Sequence, residues 1–242
     1  MDDGSKTLED SVAMLQMAAE AGTRGIVATP HADLEYKFQP DLIRERADQL
    51  RAALDGKIEL WTGCDFHLTF DNIQDAINHP TKYTINHKSY LLVEFSDMLI
   101  FQNTADIFAR LRDAGMVPVV THPERNALLQ QRLPQLKLWV EQGACLQVTA
   151  QSLNGRFGKT ARAFSLELLN QNLVHFIASD AHDLKHRPPL LNEAFDFIAE
   201  EYSPELAQAL LIDNPTAAVS GAPLPPQPYT FRSSRKWYQF WR

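Results

Sequence analysis

VPVVTH at residues 117–122 and VHFIASDAH at residues 174–182 share one plan: an apolar run of strand type that stops on residues able to bind a metal ion or a proton. The plan recurs at 25–31 (GIVATPH), at 58–65 (IELWTGCD) and at 90–95 (YLLVEF, with Glu94 inside it), and a further strand-like run covers 144–149. Helix-period segments separate these runs, near 41–54, 72–77, 104–114, 133–142 and 159–170. An earlier helix starts from Thr7 as N-cap, turns Leu8, Val12, Leu15 and Ala18 inward, and stops at Gly22. Such alternation predicts repeated β-α units around a parallel sheet. Two short helices near 190–201 and 204–211 close residues 1–214 as one α/β domain. Residues 215–242, Pro-rich and then basic and aromatic, are expected to form a loosely held tail.

Composition narrows the function. The chain has 242 residues, 45% hydrophobic and 22% charged, which suits one large domain. A net charge of −7 argues against nucleic acid as a partner, although a local basic patch can still bind phosphate. Cys64 and Cys145 sit beside apolar runs and read as small buried hydrophobes, not as a disulfide, which points to a reducing, cytoplasmic setting. There is no apolar run of about 18 residues, and MDDGSKTLED has neither the basic nor the apolar region of a signal peptide.

The polar residues at strand ends carry the chemistry. His31, Asp65, Glu94, His122, Asp180 and His182 each terminate or closely follow an apolar run, and that edge of a parallel barrel is where active sites are built. One histidine after a strand is ordinarily a hydrogen-bonded cap; six such residues on one rim are a site. Mixed imidazole and carboxylate donors without thiolates suit a catalytic Mn²⁺, Fe²⁺ or Zn²⁺ rather than a structural zinc. Two or three such ions together favour phosphate ester hydrolysis. Arg125, inside THPERN, and Arg187 are placed to fork onto phosphate oxygens. Glu124 reads as a solvated loop charge. The segment QSLNGRFGKT (151–160) reads either as a phosphate-approaching loop or as a plain entry into the next helix.

TPH (29–31), VEF (93–95), THPERN (121–126), QVTAQSLNGRFG (147–158) and IASDAH (177–182) together resemble the PHP family, named for its polymerase and histidinol-phosphatase members. The branch they are most similar to is the manganese-dependent bacterial protein-tyrosine phosphatases encoded with capsule and exopolysaccharide genes. The resemblance implies a distorted (β/α)7 barrel of TIM type holding up to three divalent ions, Mn²⁺ foremost. It implies Asp65, Glu94 and His122 around one ion, and Asp3, His31 and His182 around a second. Asp65 and Asp180 would contribute to a third, and Arg125 and Arg187 would bind the phosphate. The implied reaction is hydrolysis of phosphotyrosine without a covalent phosphoenzyme, on a bacterial tyrosine kinase of polysaccharide export.

The sequence departs from that pattern in two places. The family opens with a strand carrying Asp-x-His-x-His ahead of the DDG, whereas this chain begins Met1-Asp2-Asp3-Gly4. The first barrel strand and two ligands of the third ion are therefore expected in upstream codons of the same frame. Close relatives often have Glu where this chain has Asp65, so His67, two residues on, is a candidate to lend a nitrogen. The C-terminal RSSRKWYQFWR suits peripheral contact with an anionic inner-membrane surface or a partner, and the resemblance allows an oligomer. A small-molecule phosphatase of histidinol-phosphate type and a metal-depleted binding protein are the alternatives.

Overall fold

The computed structural model describes residues 2–228. In chain order the elements are α1 (Leu8–Glu20), β1 (Gly25–Ala28), β2 (His31–Ala32), α2 (Pro40–Leu54), β3 (Glu59–Thr62), β4 (Asp65–His67), α3 (Phe70–Asn78), β5 (Tyr90–Glu94) and α4 (Thr104–Asp113). They continue with β6 (Val117–Thr121), α5 (Leu133–Glu141), β7 (Cys145–Thr149), α6 (Ala150–Leu153), α7 (Gly158–Asn170), β8 (Phe176–Ala178), α8 (Asn192–Glu201), α9 (Pro204–Gln208) and α10 (Asn214–Ser220).

Every strand pair is parallel. One ladder runs β2-β4-β5-β6-β7-β8, and β1 pairs separately with β3. Two expected strands are thus each split in two. Pro30, which has no N–H to donate, interrupts the first, and Gly63-Cys64 interrupts the second. The chain continues across both breaks, because Gly63 N donates to Ala28 O at 2.9 Å and Asp65 N to Pro30 O at 3.2 Å. The helix starts obey local chemistry: Thr7 Oγ1 accepts from Asp10 N at 3.1 Å, as expected, and Thr69 Oγ1 accepts from Asn72 N at 3.2 Å.

Alternation along the strands divides the sheet's faces. Leu91, Val93, Val120, Leu146, Val148 and Ile177 face the helices and join the main core, where Trp139 stacks on Phe95 with ring centroids 5.3 Å apart. Tyr90, Leu92, Val119, Cys145 and Phe176 face the other way, into a second apolar cluster that includes Ala218. Continuing that second face two residues at a time leads from Tyr90 and Leu92 to Glu94. The catalytic-type residues and this cluster are therefore successive layers of one face.

The structure corrects the expectation of a loose tail for residues 215–228. Residues 214–220 form α10, with Ala217 and Ala218 buried. Asn214 Nδ2 donates to His175 O at 2.7 Å, Asn86 Nδ2 to Val219 O at 2.9 Å, Tyr90 Oη to Ala222 O at 2.9 Å and Gln227 Nε2 to Val174 O at 2.9 Å. The small residues that look like linker composition are what lets a helix sit close against the second cluster and keep water from it. The basic and aromatic part of the tail lies outside the described residues.

Candidate metal centre

Register assembles the site. β2 places His31 opposite Asp65 of β4, and β4 in turn places His67 opposite Glu94 of β5. Asp65 and His67, two apart on one strand, share a face, and neighbouring strands bring paired residues to about 5 Å. His31 Nε2 lies 3.3 Å and His67 Nε2 2.8 Å from Glu94 Oε2. His122 Nε2 approaches Glu94 Oε1 at 3.4 Å and Asp65 Oδ2 at 3.9 Å. The other nitrogen of His31 faces the start of the chain, 3.5 Å from Asp2 Oδ2 and 3.7 Å from Asp3 Oδ1. His182 Nε2 closes on Asp3 Oδ2 at 3.3 Å.

Charge is unbalanced here. Burial and the neighbouring Glu94 push the Asp65 carboxyl up, its hydrogen-bonding partner being a distant Thr121 hydroxyl at 3.4 Å. Glu94, though its burial opposes ionisation, is held well below the usual carboxylate range by His31 and His67. The Asp2 and Glu94 carboxylates raise His31 to about 11 against the effect of burial. Burial, and then Arg125, keep His122 low and hence neutral, the form in which an imidazole ligates. Backbone at the strand ends is turned to the left-handed region at His122 (φ 32°) and Asp180 (φ 50°), a conformation that costs about 1–3 kcal/mol in a non-glycine residue. In both places it interrupts the extended run at the residue that must face inward.

The second half of the site is cationic. Arg125 and Arg187 both donate to Asp180 Oδ2. The Arg125 guanidinium also lies over the Phe157 ring, 4.4 Å from its centroid. Beneath Arg125, Glu124 is fully buried, its Oε1 accepting from Thr149 N at 3.0 Å and Ser152 Oγ at 2.7 Å. Glu124 is therefore not a solvated loop charge: it ties the loop after β6 to the end of β7 and the start of α6. The segment 151–160 proves to be the end of α6, a turn at 154–157 and the start of α7, and the turn supplies Phe157 to Arg125.

Residues 1–220 match the family model described as capsular polysaccharide synthesis, CpsB/CapC. The chain belongs to this CpsB/CapC family. It is 35% identical over 235 residues to tyrosine-protein phosphatase YwqE of Bacillus subtilis (strain 168), covering 94% of this chain and 92% of that one. It is 35% identical over 201 residues to the putative tyrosine-protein phosphatase CapC of Staphylococcus aureus, covering 81% of this chain and 78% of the other. A solved chain superposes with a TM-score of 0.87 at 35% identity, over 95% of each. It comes from crystal structures of YwqE from Bacillus subtilis and CpsB from Streptococcus pneumoniae, described as unique metal-dependent tyrosine phosphatases.

The CpsB/CapC chain has the donors that a metal ion needs. Three groups bring their ligand atoms within 4.8 Å of one another: His31, His67 and Glu94; Asp2, Asp3 and His31; Asp65, Glu94 and His122. His31 Nδ1 is buried with no hydrogen-bond partner although two carboxylates stand near it. Donors bound about 2.1 Å from one ion stand a little over 3 Å apart, which is how most of these pairs are spaced. Asp65, Glu94 and His122 come together as the resemblance implied. Asp3 meets His31 and His182 as well. Asp180 and His182 fall outside the three groups among the described residues, Asp180 because its carboxylate faces the two guanidinium groups. Sequence reasoning missed Asp2, whose position just ahead of a helix looks like capping, and undervalued His67, whose signal was the Asp-x-His alternation within one strand.

Proposed function

We propose that this chain is a metal-dependent protein-tyrosine phosphatase acting in capsular polysaccharide synthesis, its centre holding Mn²⁺. The observation that carries the reading is the pairing, on one rim, of a His and carboxylate donor cluster with two arginines that share a single counter-ion. His31, His67, Glu94, Asp65 and His122 are the residues to hold divalent ions, with Asp2, Asp3 and His182 serving a neighbouring position. When bound, such ions lower the pKa of water and neutralise phosphoryl oxygens. Arg125 and Arg187 offer planar forks that match two phosphoryl oxygens. Asp180 keeps both forks aimed at one place before substrate arrives, which reduces the ordering that binding requires. Phe157, with its ring centroid 4.4 Å from the Arg125 guanidinium, steadies the plane of that fork. Asp65 and His31 hold protons that leave as cations take their place.

The donor set of imidazole and carboxylate suits Mn²⁺, with Fe²⁺ and Zn²⁺ as competitors. The parallel ladder and the split first strands support a place for this chain among distorted seven-stranded barrels. A bacterial tyrosine kinase of polysaccharide export is the proposed substrate. The two buried free cysteines suit a reducing cytoplasmic setting for the meeting. The test is hydrolysis of a phosphotyrosyl peptide by chelator-treated protein, with Mn²⁺ restored, beside hydrolysis of histidinol phosphate. Metal-restored turnover with preference for the peptide is expected. Preference for histidinol phosphate would overturn the substrate assignment.

A further inference from the structure

Exposed apolar side chains are ordinary when scattered, and here they are not. The four most exposed large hydrophobics among the described residues are Leu34 (95%), Met98 (90%), Phe70 (76%) and Leu99 (57%). Leu34 lies in the loop after β2, Phe70 opens α3 just beyond β4, and Met98 and Leu99 lie in the loop after β5. Those strands are consecutive neighbours in the sheet. They are also the strands that bear His31, Asp65, His67 and Glu94. The apolar residues therefore form one flank of the metal centre, while Arg125 and Arg187 follow β6 and β8.

The loops that present these side chains are tied down. Asn72 Nδ2 donates to Ala32 O at 2.8 Å and His67 O at 3.1 Å, which fastens the start of α3, and with it Phe70, to the ends of β2 and β4. Asn126 Nδ2 donates to Phe95 O at 3.1 Å and Ser96 O at 3.2 Å, joining the Met98 loop to the Arg125 loop. Asp33 Oδ1 accepts from Glu35 N at 2.8 Å and Tyr36 N at 2.6 Å, and the Tyr36 ring lies 5.9 Å from that of His31. Polar ties thus hold apolar side chains out in water beside the metal centre.

We propose that Leu34, Phe70, Met98 and Leu99 form the specificity shelf for a protein substrate, receiving apolar side chains that flank its phosphotyrosine. The proposal rests on the phosphatase reading above. A substrate whose phosphoryl group reaches the metal centre must lay its chain across the rim. At about 3.3–3.6 Å per extended residue, the nearest flanking side chains fall at the rim's edge. Charge favours a protein segment over an anionic lipid surface. The same loops carry Asp33, Glu35, Asp71 and Asp97 against Lys37 alone, and an anionic bilayer would repel them.

The experiment compares the wild type with a Leu34→Ser/Phe70→Ser/Met98→Ser variant, both loaded with Mn²⁺. The substrates are p-nitrophenyl phosphate and two phosphotyrosyl peptides, one flanked by Leu and Phe, the other by Ser and Gly. The wild type is expected to favour the apolar peptide in kcat/KM by about tenfold or more. In the variant that preference collapses through KM, while p-nitrophenyl phosphate turnover, which needs no flank, is unchanged. Wild type without a preference, or a preference that survives the triple substitution, overturns the shelf. So does wild-type binding to phosphatidylglycerol vesicles, or a wild-type dimer in sedimentation, that the variant loses, because the patch then serves a membrane or a second copy. Loss of turnover on all three substrates by the wild type would instead count against the phosphatase reading itself.

Discussion

Metal loading should be steeply pH-dependent, and the structure says how steeply. Without a cation, His31 holds a second proton far above neutrality, its value raised to about 11 between Asp2 and Glu94. The Asp65 carboxyl, buried and next to Glu94, is also raised, so the carboxylate pair keeps a shared proton near neutral pH. Ligands must be deprotonated to bind an ion. Filling the centre around pH 7 therefore expels about two protons, one from the imidazole and one from the carboxylate pair. Two protons released correspond to an apparent affinity that climbs about a hundredfold per pH unit, or roughly 2.7 kcal/mol at 1.36 kcal/mol per proton and unit. The climb should halve in logarithm once the carboxylate pair has titrated. Calorimetric titration of Mn²⁺ into chelator-treated protein at pH 6, 7 and 8, each in two buffers of different ionisation heat, counts the protons directly. His31→Gln should lower the count by about one and Asp65→Asn by about one. A proton count near zero, or an affinity flat from pH 6 to 8, would refute the charge argument.

Other perturbations separate positioning from folding. Glu124→Ala leaves the Thr149 N–H and the Ser152 hydroxyl without their acceptor in a buried place, so thermal or urea unfolding should show a loss of about 2–3 kcal/mol, whereas Glu124→Gln keeps an acceptor oxygen and should lose about 1 kcal/mol or less. Phe157→Ala removes the ring beneath Arg125 and should raise KM for aryl phosphates several-fold while metal affinity by calorimetry stays unchanged; an unchanged KM would deny the ring its role. His175 is driven down to about 4 by burial while its ring accepts from Leu146 N at 3.2 Å. Its stabilising share is full above about pH 6.5, where both folded and unfolded forms are neutral, and is lost as pH falls towards 4, on the order of 3 kcal/mol in all; urea unfolding at pH 7 and 4.5 should show a smaller acid loss in His175→Gln than in the wild type. Deleting residues 231–242 should weaken sedimentation with inner-membrane vesicles without changing turnover of p-nitrophenyl phosphate, and unchanged sedimentation would remove the tail from any role in recruitment.

What could be read in advance follows the range of the interactions involved. Strand ends were legible because each apolar run of 25–31, 117–122 and 174–182 stops abruptly on a ligand-type residue, a local signal. The pairing of His67 with Glu94 was only half legible: the Asp-x-His alternation shows that Asp65 and His67 share a face, but the register against β5 is set by packing of the whole sheet. Glu124 was misread because the groups that solvate it, Thr149 and Ser152, come from the next strand and helix. No property of THPERN alone reveals them. Composition misled at 215–228 for the opposite reason. Proline and small residues are usual in linkers, yet small residues are also what a helix needs to lie close against Tyr90 and Phe176.

That last packing bears on function more than its distance from the centre suggests. The upper layer of the inner face is electrostatically costly: buried acids, a doubly protonated imidazole, two guanidinium groups on one carboxylate, and left-handed backbone at His122 and Asp180. The pairing of His31 with Asp2 and Glu94 offsets only part of that cost, so much of the stability must come from elsewhere on the same strands. It comes from the next layer down, where Leu92, Val119, Cys145 and Phe176 are covered by α10 and the segment to residue 228. Because side chains two apart share a face, any shift in register that disturbed the apolar layer would also separate His31, His67 and Glu94. The apolar layer thereby holds these donor side chains in place whether or not an ion is bound, which ties residues 214–228 to the geometry of the rim.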